Sequence, residues 1–151
     1  MRFVECTCGQ LHWGPFGAAG LLLHSRGRVL VQHRSVHVHG GACWGVPGGA
    51  LDEGETPVEA ALREAQEEVD GLPAERIRVV GQIATTDHLL WRYTTVVAHL
   101  DGVVPLVSPR GWESTEVSWI SAADVASLRL HPAFAASWPV LLPRLSGWPR
   151  R

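Results

Sequence analysis

Three glutamates, Glu64, Glu67 and Glu68, stand at positions i, i+3 and i+4 within the run REAQEE. On a helix this spacing sends all three carboxylates to one side. Like charges so gathered repel, at roughly 0.2–0.5 kcal/mol for each exposed pair. Glu67 and Glu68 also fall in the last turns, where the helix dipole favours cations. A sequence that breaks two local rules in one place marks a functional candidate, and a divalent cation removes both penalties. Only carboxylate oxygens are on offer, with no His or Cys in the helix, which indicates a hard ion, Mg²⁺ or Mn²⁺, rather than zinc. The bland alternative is a solvated acidic face, and the bare E-x-x-E-E pattern leaves it open.

The element that must carry these residues has clear boundaries. Thr56 suits an N-cap, Pro57 the first helical position, and Glu59 the closing partner of a capping box. Val58, Ala61, Leu62, Ala65 and Val69 form an apolar stripe at helical spacing, so the carboxylates are expected to project roughly away from its centre. Gly71-Leu72-Pro73 ends the helix near Val69 or Asp70. Upstream, the apolar run Phe16 to His24 and the alternating run Arg28 to Arg34 predict a hairpin turning at Arg26-Gly27. Ser35 to Gly41 reads as a loop, and Trp44 to Val46 leads into Pro47-Gly48-Gly49, where no regular element is expected to continue. Downstream, Arg76 to Thr85, Arg92 to Leu100 and Glu116 to Ile120 have strand character, while Ala122 to Leu128 and Pro132 to Leu145 read as helices. Strands on both sides of a helix predict a mixed α/β or α+β sandwich.

The whole segment from Gly48 to Leu72, GGALDEGETPVEAALREAQEEVDGL, resembles the Nudix hydrolase box. That pattern places a Gly, a Glu six residues later, then Arg-Glu, an apolar residue, any residue, Glu-Glu and a closing Gly. Gly49, Glu55, Arg63, Glu64, Ala65, Glu67 and Glu68 match it. The closing Gly falls at position 70, where this chain has Asp70 followed by Gly71, a departure that bears on the helix C-cap and the path of the next loop. The resemblance implies an α/β/α sandwich with a mixed sheet. It implies that Glu64, Glu67 and Glu68 hold Mg²⁺, with Mn²⁺ as an alternative and the Gly48 carbonyl as a further ligand. It also implies that Arg63 pairs with Glu55 to brace the loop against the helix, although Arg63 suits an ordinary i, i+4 pair with Glu67 equally well.

The chemistry so implied is cleavage of a phosphate anhydride, with metal-bound water attacking phosphorus. Glu67 or Glu68 is a candidate general base. Glu113 is another, because it stands six residues before Trp119, a spacing similar to that of the family's bacterial antimutator members. Glu116 is its rival, with a structural ion pair at a strand start as the alternative role.

Substrate contacts are expected from Arg34, whose guanidinium suits phosphate, and from Trp44, Trp91 or Tyr93, whose rings suit stacking on a base. His33, His37 and His39 receive no role. The antimutators' base-reading Asn has no counterpart, since the chain contains no Asn, and Asp87-His88 occupies the region where a Pro or Tyr marks other branches. The expected substrate is therefore a (d)NTP giving NMP and pyrophosphate, with the base open and ADP-ribose or a nucleotide sugar as alternatives. A module that binds such a ligand without cleaving it is the competing class.

At 151 residues the chain fits one domain, read as an N-terminal arm over 1–15 and a single domain over 16–151. Its net charge of −2 offers no general attraction to nucleic acid or an anionic membrane, so nucleic-acid and membrane partners are not expected. The absence of a long apolar run and of a signal-like N-terminus leads to a cytoplasmic expectation, as a monomer or homodimer. Cys6, Cys8 and Cys43 make no disulfide framework, and Cys6 and Cys8 lack the second ligand pair of a structural zinc site.

Overall fold

The computed structural model describes residues 3–5, 11–13, 15–35, 42–88 and 91–145. In chain order the elements are β1 (Phe3–Glu5), β2 (Leu11–Trp13), β3 (Ala18–Ser25), β4 (Arg28–Arg34), β5 (Trp44–Gly45), β6 (Gly48–Ala50), α1 (Pro57–Glu68) and β7 (Val69–Asp70). They continue with β8 (Ile77–His88), β9 (Trp91–Leu100), β10 (Ser108–Pro109), β11 (Ser114–Ser121) and α2 (Pro132–Leu145). The expected hairpin is β3–β4, and its two-residue turn places Arg26 at φ 51° and Gly27 at φ 77°, the left-handed pair that matches strand twist.

The main sheet runs β11-β4-β3-β9-β8, with β5 added to β4 and β6 to β3. β3 and β9 are parallel and their other neighbours antiparallel, so the sheet is mixed. Alternation along β3 divides the core. Leu21 and Leu23 pack with Ala60, Ala61 and Ala65 of α1 on one face, and Leu22 packs with Phe134, Trp138 and Leu141 of α2 on the other. The result is the α/β/α sandwich. Among the described residues no helix is long and apolar enough to cross a membrane, which says nothing of a β-barrel.

Three local expectations are corrected. Gly48-Gly49 does not break regular structure: it forms β6, with Gly48 and Gly49 opposite Gly20 and Ala19. A Cβ at Gly48 would strike the Ala19 carbonyl oxygen, so glycine is what lets the two backbones approach this closely. The helix ends at Glu68, because Val69 and Asp70 leave it to pair with Pro109 and Ser108. Ala122–Ser127 is a 3-10 turn rather than an α-helix, closed by the Leu128 amide on the Val125 carbonyl.

Candidate active site

The capping box forms as the sequence predicts: the Thr56 hydroxyl accepts from the Glu59 amide at 3.1 Å, and the Glu59 carboxylate accepts from the Thr56 amide at 2.9 Å. With its start fixed and three alanines drawing it onto the sheet, α1 presents its glutamates in three different environments.

Glu67 is solvent-facing, with 57% of its side chain exposed. Glu64 is partly covered by β6, where a Cβ at Gly49 would lie 2.5 Å from the Glu64 carboxyl carbon. Glu68 corrects the expectation that all three project away from the apolar stripe, since it is only 7% exposed. It follows Ala61 by seven residues and Ala65 by three, which places it on the buried side of the helix.

Two donors meet the buried carboxylate. Gln32 Nε2 donates to Glu68 Oε1 and the Gly48 amide donates to Oε2, each at 3.0 Å. Burial nevertheless pushes the Glu68 pKa up to about 8; the charges of Glu64 and Glu113 add to the rise, while Gln32 and Gly48 oppose it. Burial also raises Glu64, against the pull of Arg63.

Gln32 was not among the sequence candidates. Leu30 faces α1, whereas Val29 and Val31 face α2, so strand alternation turns Gln32 towards α1 and Glu68. A polar residue in a run that both helical layers cover was the available signal. Its Oε1 is buried and, among the described residues, takes no hydrogen bond.

Arg63 ties the loop to the helix. Its Nε and Nη2 donate to the two oxygens of Glu55 at 2.8 and 2.9 Å, Nη2 reaches the Ala50 carbonyl at 3.1 Å, and Nη1 reaches Glu64 at 2.9 Å and Glu67 at 3.3 Å. The hydrogen bonds from Arg63 hold the Glu55 carboxyl down at about 2.

The remaining candidates are spread around this cluster. The Glu113 carbonyl accepts from the Ser35 amide at 2.8 Å, and its charge acts on Glu64 and Glu68. Glu116 stands opposite His33 on β11 and accepts from the Ser118 hydroxyl at 2.8 Å. Arg34 ends β4, paired with Ser114. Trp44 lies edge-on to His33 at 5.0 Å and packs on the α2-side core. Trp91 and Tyr93 are tilted neighbours at 6.4 Å. The Tyr93 hydroxyl lies against Gly20, and burial raises its pKa, with the Glu68 charge adding to the rise and Arg34 opposing it. That phenol end faces inward, so Trp91 is the better placed of the two for an external ring. Cys6, Cys8, His37 and His39 lie outside the described residues.

The donors of the acidic cluster are all oxygens, which fits a hard divalent ion, and the unsatisfied Gln32 Oε1 shows polar capacity left over beside it. Among the described residues no three of these side chains stand placed to hold a metal ion together; Arg63 engages Glu64 and Glu67, while Gln32 and the Gly48 amide engage Glu68.

Residues 15–141 match the NUDIX domain. A Mycobacterium tuberculosis protein named "Putative 8-oxo-dGTP diphosphatase 3" is 46% identical over 146 residues, covering 90% of this chain and 66% of that protein. A Bifidobacterium longum nucleoside triphosphate pyrophosphatase/Nudix hydrolase fusion protein is 41% identical over 152 residues, covering 95% of this chain and 31% of the fusion. The chain therefore spans less than two thirds of either relative. The crystal structure of the M. smegmatis Nudix hydrolase RenU superposes with a TM-score of 0.88 at 38% identity, covering 99% of this chain and 98% of that one.

Proposed function

The chain belongs to the NUDIX domain family, and from that premise we propose that it is a Mg²⁺-dependent pyrophosphohydrolase that converts a (d)NTP to NMP and pyrophosphate. The observation that carries this reading is the buried Glu68, held at both oxygens beside partly covered Glu64 and exposed Glu67 on one helix. Burying a carboxylate is costly without a charge to balance it. Glu64, Glu67, Glu68 and the Gly48 carbonyl would hold the metal. When bound, Mg²⁺ offsets charge on the phosphates and makes a coordinated water more acidic.

The chain's own residues then divide the work. Gln32 and the Gly48 amide fix the Glu68 carboxylate, and Arg63 fixes Glu64 against the Glu55 loop. Glu67, the exposed carboxylate, or Glu113 on its neighbouring loop accepts the proton of the attacking water. Arg34 binds a substrate phosphate, and Trp91 or Trp44 offers a ring for the base. The mycobacterial relative's name places 8-oxo-dGTP first in a substrate panel.

The test is to incubate the protein with nucleoside triphosphates, 8-oxo-dGTP, ADP-ribose and a nucleotide sugar in Mg²⁺, following pyrophosphate and phosphate release. Glu67→Gln and Glu68→Gln are expected to lose activity. Turnover of no anhydride, or mutants equal to wild type, would end the proposal.

A further inference from the structure

The box position at which this chain departs from the family pattern has a partner 40 residues away. Arg110 Nε donates to Asp70 Oδ1 at 2.7 Å, and Nη2 approaches the same oxygen at 2.5 Å. The main chain of Arg110 makes a second link, its amide donating to the Glu68 carbonyl at 2.8 Å. One residue thus grips both the last residue of α1 and the side chain two positions beyond it.

The backbone alone holds this region weakly. β7 and β10 are two residues each, and Pro109 has no N–H to give the ladder. A glycine at position 70 would have no side chain to take the guanidinium.

Immediately after Arg110 the chain turns at Gly111, φ 88°, and reaches Glu113, whose carbonyl accepts from the Ser35 amide at the end of β4. Residues 110–113 are therefore anchored at one end to the C-terminus of α1 and at the other to β4. Between the anchors lies Glu113, whose carbonyl is tied to Ser35, three residues beyond the Gln32 that holds Glu68 on the same strand run.

We propose that Asp70 and Arg110 are positioning residues: they clasp the 110–113 loop to the end of α1 and so hold Glu113 beside the carboxylates of that helix. This rests on the hydrolase reading above. An ion pair half open to solvent adds little to overall stability, so its removal is expected to appear in catalysis and in local opening more than in global unfolding.

The experiment compares wild type with Asp70→Asn, Arg110→Met, Glu113→Gln, the charge exchange Asp70→Arg/Arg110→Asp, and Asp70→Asn combined with Glu113→Gln. The readouts are kcat and KM on the best nucleotide of the panel with Mg²⁺, and hydrogen exchange at the amides of residues 35 and 110. Asp70→Asn and Arg110→Met are each expected to lower kcat about fivefold, the scale of one such pair, with KM unchanged and both amides exchanging faster. The charge exchange restores part of kcat, and Asp70→Asn adds no loss once Glu113 is Gln. Wild-type kcat in the single variants, or losses that multiply with Glu113→Gln, overturn the proposal. If wild type turns over no nucleotide, the hydrolase reading fails and the catalytic role with it. Unchanged exchange in Asp70→Asn separately removes the clasp.

Discussion

Gln32 Nε2 donates to Glu68 Oε1 at 3.0 Å, joining two buried side chains that lie 36 residues apart, on β4 and α1. The bond crosses the interface between sheet and helix in an otherwise apolar layer formed by Leu21, Leu30, Ala65 and Val117. Its consequence is that one member of the acidic triad is oriented from the strand below.

Gln32→Met keeps nearly the same volume and deletes the donor. Because groups that orient ligands are each worth roughly 10–100-fold in metal affinity or activity, turnover and Mn²⁺ binding should weaken together within that range. Global stability should fall by about 1–3 kcal/mol, because the buried Glu68 Oε1 loses its donor, with part of the loss offset as the unsatisfied Gln32 Oε1 goes too. Calorimetric Mn²⁺ titration checks this, and wild-type affinity would contradict it.

The pH dependence of the metal-free protein should carry the mark of Glu68. An ordinary glutamate carboxyl titrates near 4.5, and burial raises that of Glu68 to about 8, so between these values the folded state binds the extra proton. The corresponding stability is full below 4.5 and is lost as pH rises through about 8. Glu55 has the opposite sign: its folded value of about 2 gives stability that is present above 4.5 and lost as pH falls through 2. Thermal unfolding in a chelator should show wild type weakening from pH 5 to pH 9, with Glu68→Gln flatter over that span. Parallel curves would refute the assignment.

Gly49→Ala places a methyl 2.5 Å from the Glu64 carboxyl carbon, so the Glu64 side chain must move. The clash is with the far end of a flexible side chain, so the stability cost should fall below the about 1–3 kcal/mol of an overpacked core. A lowered Tm is expected, together with an activity loss larger than the stability change explains. Full activity would show that the position of Glu64 is not critical.

Arg63→Lys retains the charge but not the planar fork that serves Glu55, Ala50, Glu64 and Glu67 together. Losing these charge-assisted bonds should destabilise the fold by about 1.5–3 kcal/mol. Denaturant unfolding measures it, and an unchanged midpoint would mean that loop and helix are braced by other contacts.

Much of the candidate site's local geometry was legible in the chain. The spacing of Glu64, Glu67 and Glu68, the Thr56–Glu59 capping box and the Arg26-Gly27 turn are local features, fixed by helical periodicity, cap chemistry and backbone sterics within a few residues. What periodicity could not supply was depth. It grouped the three glutamates on one side, but only the docking of Ala60, Ala61 and Ala65 against the sheet decided that Glu68 goes under while Glu67 stays out.

The long-range partners were likewise settled by tertiary structure. Gln32 meets Glu68 because β4 passes beneath α1, and Gly48-Gly49 becomes a strand because β3 offers an edge. Asp70 meets Arg110 because β10 returns alongside β7. The sequence by itself determined which residue types could gather an oxygen-rich site on one helix, since those rules act over one or two turns. Which of them is buried, and what holds each in place, was decided only when distant strands were packed against that helix.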